Sequence, residues 1–353
     1  MDAIDLRSDT VTWPTPTMRQ AMAEAELGDD VKREDPTVIR LDALAADRLG
    51  KQAALLVTSG TQGNITALLT PCGRGDEYIV GQQNHIVQWE GGGGAVLGGA
   101  HPYTLPVSPD GTLNLEDIAR AVRGSNVHHP RTRLICLENT HGGVGGVPVS
   151  AEYFFQVREL ARDNDLRMHL DGARVWNAAA ALKQDVAEIA APFDSVTFCL
   201  SKGLCAPVGS VLVGSRDFIE EARHWRKVLG GGMRQAGVIA AAGIVALQEM
   251  TGRLSEDHAT AQRLAEKLAE LDGIHIAIWP QTNMVFFSLD PALDLTGEQF
   301  SDILAREHNV LLDLEYGRTF RAVTHYWISP ERVDRAVAAI WGVLKQAQGQ
   351  QVV

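Results

Sequence analysis

Basic residues are few: 32 Lys and Arg stand against 44 Asp and Glu, a formal net charge of −12 over 353 residues, with no run of five or six cations. That balance argues against nucleic acid or an anionic membrane as a partner. Long apolar runs are also missing. The longest, AGVIAAAGIVAL at 236–247, falls short of the roughly 20 residues a membrane helix needs and, being rich in Ala and Gly, predicts a buried, closely packed helix. Cysteine is sparse, and Cys72, Cys136, Cys199 and Cys205 form no CxxC pair and have no histidine at zinc-ligand spacing. This argues against structural zinc or disulfides and fits free thiols in a reducing cytosol. The N-terminus MDAIDLRSDTVTWPTP carries Asp2, Asp5 and Asp9 where a secretory leader would be basic and then apolar, so a cytoplasmic location is expected. No Gly-Lys-Ser/Thr of a nucleotide P-loop is present, and the glycine runs at 91–94 and 142–146 lack dinucleotide spacing and read as loops. What remains is an acidic globular chain, 45% hydrophobic, long enough for two domains and suited to small molecules or other proteins.

Between about residues 50 and 215, β-prone runs alternate with helix-like stretches: AALLV at 53–57, EYIV at 77–80, RLICL at 133–137, LRMHL at 166–170, DSVTFCL at 194–200 and SVLVG at 210–214. The alternation predicts an α/β unit with a mostly parallel sheet. Ser150 reads as the N-cap of a helix with Phe154, Val157, Leu160 and Ala161 on one face. Beyond 250 the pattern becomes that of a smaller α+β domain, giving expected units of 1–250 and 251–353. Ala261, Leu264, Ala265, Leu268 and Leu271 recur at helical spacing up to Gly273. NMVFFSL at 283–289, VLLDL at 310–314 and FRAVTHYWI at 320–328 predict strands. Ser329-Pro330 then opens a last helix with a stripe of Val333, Val337, Ile340, Trp341 and Leu344, and the tail QAQGQQVV is expected to fray.

The run DSVTFCL ends in Ser201-Lys202-Gly203, putting a lysine at the carboxyl edge of the sheet, where open α/β folds bind ligands. Alone, it reads as a solvated surface residue or as an amine desolvated by the irregular turn behind it for Schiff-base chemistry. LRMHL ends in Asp171, by itself a turn aspartate. Together they meet two needs of pyridoxal phosphate: an amine for its aldehyde and a carboxylate for its ring nitrogen. The third need, amide donors for a phosphate, matches TSGTQGN at 58–64, which reads as an anion cup with Gly60 and Thr61 or as an ordinary helix cap. His85, after EYIVGQQN, suits ring stacking and proton transfer, or a plain loop. His128 and His129, in NVHHPR, are equal candidates on spacing, and Arg321 suits a carboxylate or a strand edge.

The strings LRSDTVT at 6–12, GDDV at 28–31, EDPTV at 34–38, SGTQGN at 59–64, RTRLICLENTH at 131–141, HLDGARVWNA at 169–178, FCLSKGLCAPVGS at 198–210, GGGMRQAG at 230–237 and RAVTH at 321–325 span nearly the whole chain. In this order they resemble the pyridoxal-phosphate-dependent low-specificity threonine aldolases of the β-eliminating lyase group. The resemblance implies an α/β, aspartate-aminotransferase-like transferase fold (fold type I) and a homotetramer of paired dimers that share active sites. It implies a lyase that reversibly cleaves L-threonine, L-allo-threonine and related β-hydroxy-α-amino acids to glycine and an aldehyde, with pyridoxal 5′-phosphate and no metal. Carried over by position, Lys202 is the cofactor lysine, Asp171 the ring-nitrogen partner and His85 the stacking histidine. Gly60, Thr61, Ser201 and Arg234, the last from a neighbouring subunit, match phosphate contacts. Ser8, Arg174 and Arg321 match carboxylate binding, and His128 matches the histidine near the substrate hydroxyl. The alternative is another fold-type-I enzyme of this cofactor, a β-eliminating lyase or aminotransferase.

Two stretches depart from the family's pattern. GDDVKREDP has Lys32 and Arg33 where GDDVYGEDP is common, at a position belonging to an adjacent subunit's substrate pocket, and HGGVGGVPV at 141–149 replaces an HNG-type continuation. The two cations read either as a solvated pair or as partners for a negatively charged aldehyde substituent.

Overall fold

The computed structural model describes residues 3–349, which form two compact units: residues 13–251, and the segment up to Thr12 together with the chain from Gly252 onward. After a short first strand, β1 (Ile4–Asp5), the larger unit supplies β2 (Ala53–Val57), β3 (Asp76–Gly81), β4 (His101–Leu105), β5 (Arg131–Glu138), β6 (Arg167–Asp171), β7 (Ser195–Cys199) and β8 (Ser210–Gly214). These seven pair in the order β2-β8-β7-β6-β5-β3-β4, and β8 runs against all the others. Strands β3, β7 and β8 are buried along their whole length, which is why β7 and β8 appear in the sequence as apolar-rich runs, while β3 also buries Asp76 and Glu77.

Helices close the crossovers. Gly60–Leu69 follows β2 and is buried nearly throughout, and Ala151–Asp163 starts after Ser150 and buries Phe154, Val157 and Ala161. Gly237–Val245 is the buried, small-residue helix expected from the longest apolar run. The glycine run at 91–94 is not simply a loop: Gly91 and Gly92 adopt φ of 60° and 67°, and a helix Gly93–Gly98 follows. The edge strand β4 escapes the sequence reading because HPYTL is buried only at Leu105 and shows no apolar run.

The second unit adds β9 (Ile274–Ile278), β10 (Met284–Leu289), β11 (Val310–Leu311), β12 (Asp313–Tyr316) and β13 (Thr319–Val323). Its antiparallel sheet has the order β12-β13-β10-β9, and β1 pairs in parallel with β11, joining the N-terminal segment to this unit. Phe287, Phe300 and Phe320 meet at ring distances of 5.4 and 5.1 Å in its core. Three sequence expectations change here. VLLDL divides between β11 and β12, because its first half pairs with β1 and its second with β13. FRAVTHYWI leaves the sheet after Val323, where Thr324 Oγ1 donates to the Asp257 carbonyl and His325 Nε2 to the Asp5 carbonyl. Trp341 is 41% exposed, while Ala336 and Val343 complete the buried face of the last helix, Pro330–Ala347. That helix takes in the start of the expected fraying tail, whose last four residues lie outside the described ones. Among the described residues no helix is long and apolar enough to cross a membrane.

Candidate active site

Parallel pairing puts the carboxyl ends of β5, β6 and β7 at one edge, with Glu138 beside Asp171 and Asp171 beside Thr197. Asp171 ends β6 and is 2% exposed. Its Oδ1 accepts the Ala173 backbone N–H at 3.1 Å, and its Oδ2 accepts Asn64 Nδ2 at 2.9 Å. Asn64 gives its other amide hydrogen to Glu90 Oε1 at 2.8 Å, so one amide bridges two buried carboxylates. Because its Oδ1 can only accept, His169 must donate from Nε2 (3.1 Å), and His169 Nδ1 then accepts from the Ser195 hydroxyl (2.9 Å). Burial pushes His169 down to about 4, which keeps this imidazole neutral.

His85 starts the short helix His85–Gln88, anchored by its backbone N–H on Glu138 Oε2 at 2.7 Å. Its Nδ1 lies 2.9 Å from Glu90 Oε1; the Glu90 side chain is 1% exposed and that of His85 41%. The hydrogen bond to Glu90 raises the His85 pKa, aided by Asp171 and opposed by burial and by Lys202. Burial pushes the Glu90 carboxyl up, against the hydrogen bonds from His85 and Asn64. The polar atoms of His85, Glu90 and Asp171 lie within 4.8 Å of one another.

Ser201 and Lys202 follow β7, both half-buried, in a turn closed by the Cys205 N–H on the Lys202 carbonyl at 2.9 Å. Lys202 acts electrostatically on His85, so three of the expected residues, His85, Asp171 and Lys202, share this edge. Gly60 and Thr61 open the helix after β2; Ser59 Oγ caps the Gln62 N–H at 3.1 Å, and the first-turn amides face out of the helix end. A Cβ on Gly63 would lie 2.5 Å from Thr197 Cγ2, so this helix sits against β7 closer than a side chain allows. Arg174 is half-buried at the start of the helix Val175–Leu182.

His128 is exposed and precedes β5, whose far end is level with Asp171. Eight extended residues span about 23 Å, and His129 and Pro130 link His128 to the near end in three Cα steps of at most about 11 Å, so its Cα stays about 12 Å or more short of the level of Asp171. Arg234 is exposed and bonds Asp29 Oδ2 at 3.2 Å. Lys32 is exposed on the turn Asp30–Lys32, and Arg33 pairs with Glu220 at 2.5 Å. In the second unit, Ser8 Oγ accepts the Thr10 N–H at 3.2 Å, and Arg321 pairs with Asp313 at 3.2 Å and Glu315 at 3.1 Å.

Sequence reasoning does not single out Asn64, Glu90, Glu138 or His169. Only His169 carries a signal: it stands two residues before Asp171 on a strand, hence on the same face.

The chain matches the family described as Beta-eliminating lyase over residues 5–292. It is 46% identical over 337 residues to low-specificity L-threonine aldolase 1 of Arabidopsis thaliana, covering 94% of each chain. It is 45% identical to the low specificity L-threonine aldolase of Escherichia coli K12, covering 96% of this chain and 98% of that one. Among solved structures, the Leishmania major threonine aldolase superposes with a TM-score of 0.81 at 21% identity, covering 97% of this chain and 99% of that one, which speaks for the fold. The chain therefore belongs to the beta-eliminating lyase family, within its low-specificity L-threonine aldolase group and on the aspartate-aminotransferase-like fold.

Proposed function

We propose that the protein is a pyridoxal 5′-phosphate-dependent aldolase that reversibly cleaves L-threonine, L-allo-threonine and related β-hydroxy-α-amino acids to glycine and an aldehyde. The observation that carries this reading is the buried Asp171 carboxylate set among His85, Glu90 and Lys202 at the carboxyl edge of the sheet. The donor set fits the cofactor. Asp171 has two N–H donors and acceptor capacity left for a third, Lys202 offers a primary amine, and the helix end at Gly60 and Thr61 offers amides to a phosphate.

Lys202 would hold the aldehyde carbon, Asp171 the ring nitrogen, His85 the ring face, and Gly60, Thr61 and Ser201 the phosphate. When bound, the cofactor supplies a sink for the electron pair released as the Cα–Cβ bond breaks. Arg174 binds the substrate carboxylate and so orients the bond to be broken. His85 takes the β-hydroxyl proton at Nε2, since Nδ1 is engaged by Glu90.

In this reading the protein is a cytoplasmic homotetramer, a dimer of dimers, in which Arg234 and His128 serve the site of a neighbouring copy. Exposed Trp89 (73%), Val96 (75%) and Val127 (97%) support burial against other copies. The test is product analysis: with L-threonine, glycine and acetaldehyde form in equal amounts and Lys202→Ala abolishes both. A keto acid without glycine would move the assignment to β-elimination or transamination. Cleavage by Lys202→Ala at the parent rate would overturn the lysine's role.

A further inference from the structure

Glu90 enters the steps above only as the partner of His85 Nδ1, yet its side chain is only 1% exposed. Its Oε1 collects two donors, His85 Nδ1 and Asn64 Nδ2, while Oε2 is buried with no hydrogen-bond partner among the described residues. A carboxylate stripped of water with one bare oxygen is costly unless a cation can form beside it. The groups that face His85 are Glu90, Asp171, Lys202 and, through the backbone N–H, Glu138. Asp171 and Lys202 are committed to the cofactor in the proposed reading, and Glu138 is committed to the His85 and Gly142 N–H groups. That leaves Glu90 as the charge whose contact with the imidazole is direct.

We propose, resting on the aldolase reading, that Glu90 is a positioning residue: it holds His85 with Nδ1–H inward and Nε2 toward the substrate, and its charge makes Nε2 the base. As the β-O–H bond breaks, the proton passes to Nε2 and the oxygen pair forms the aldehyde C=O. The Cα–Cβ pair stays with the Cα fragment, and the proton gained at Nε2 balances the one Cα takes up to become glycine. The imidazolium so formed lies 2.9 Å from a carboxylate that otherwise lacks a counter-charge of its own. Asn64 keeps that carboxylate and Asp171 apart by giving one hydrogen to each.

Glu90→Gln tests this. For threonine cleavage by the full-length, cofactor-loaded protein, kcat is expected to fall about tenfold with KM changed less than about twofold. The acid limb of the kcat/KM profile is expected to move down by about one pH unit, since without Glu90 the imidazole loses its proton at lower pH yet is a weaker base. Glu90→Asp, which keeps the charge, is expected to hold the limb near its parent position. A second readout needs no turnover: diethyl pyrocarbonate attacks neutral imidazole, so the pH midpoint of His85 modification, followed by peptide mass, is expected to drop by about one unit in Glu90→Gln. If the midpoint drops but the parent protein cleaves no threonine, the Glu90–His85 coupling stands and the aldolase reading falls. If the parent cleaves threonine while Glu90→Gln leaves midpoint and kcat unchanged, the proposal is overturned and the aldolase reading stands. A Glu90→Gln chain that fails to fold leaves Glu90→Asp to decide, because an acid limb displaced despite the retained charge would also overturn it.

Discussion

Replacing Asn64 by leucine keeps the number and branching of the side-chain heavy atoms and removes three hydrogen bonds at once. Two run from Nδ2 to carboxylates, at 2.9 Å to Asp171 and 2.8 Å to Glu90, and the third brings His169 Nε2 to Oδ1 at 3.1 Å. All four residues are buried, so water does not replace what is lost. Hydrogen bonds to charged groups contribute about 1.5–3 kcal/mol each and a neutral one about 1 kcal/mol, which puts the loss at about 4–7 kcal/mol. The apolar surface of leucine returns about 1–2 kcal/mol, leaving a net destabilisation of about 3–5 kcal/mol. In a unit the size of residues 13–251, each kcal/mol lowers the melting temperature by about 2–4 °C, so a drop of about 6–20 °C is expected. The assay is thermal unfolding followed by far-UV circular dichroism, at fixed protein concentration and without added cofactor, because ligands and association shift apparent stability. A drop under about 3 °C would refute the reasoning, since it would mean that the two carboxylates and His169 lose nothing when the amide between them goes.

Three further outcomes are expected. His169 is pushed by burial from 6.5 to about 4, so its contribution to stability is present above pH 6.5 and is lost as pH falls through about 4, about 3 kcal/mol in all. His169→Gln, which keeps an amide hydrogen for Asn64, flattens that part of the pH dependence of urea unfolding. Gly63→Ala puts a Cβ 2.5 Å from Thr197 Cγ2, which costs about 1–3 kcal/mol and moves the helix end off β7. A spectrophotometric titration with pyridoxal phosphate should show weaker binding. Arg33 holds a φ of 62°, and its ion pair with Glu220 is 56% and 54% exposed, so Arg33→Gly removes strain and loses little. A gain of about 0.5–1 kcal/mol is expected, seen as a higher melting temperature.

Most of the larger unit is legible because a strand buried on both faces is mostly apolar, as AALLV and SVLVG are, whereas the edge strand HPYTL, buried only at Leu105, carries no such mark. FRAVTHYWI misleads for the opposite reason: its second half is β-prone in composition, but Thr324 and His325 bond to backbone carbonyls of Asp257 and Asp5, and such distant partners leave no local trace. The site divides along the same line. Asp171, Lys202 and His85 are legible because each ends or follows a strand, and in a parallel sheet the residues at the strands' carboxyl ends gather at one edge. The same rule, applied to His128, already places it at the other edge, since NVHHPR precedes its strand. Directionality therefore outweighs residue type in choosing between the two histidines for one chain's site. It fails for Glu90 and Asn64, which stand 26 residues apart, with Asn64 107 residues from Asp171. Chemistry dictates the residue types that meet a cofactor, so a motif can reveal them. The groups behind them are constrained only by the need to satisfy a buried charge, and that need shows itself only once three elements meet.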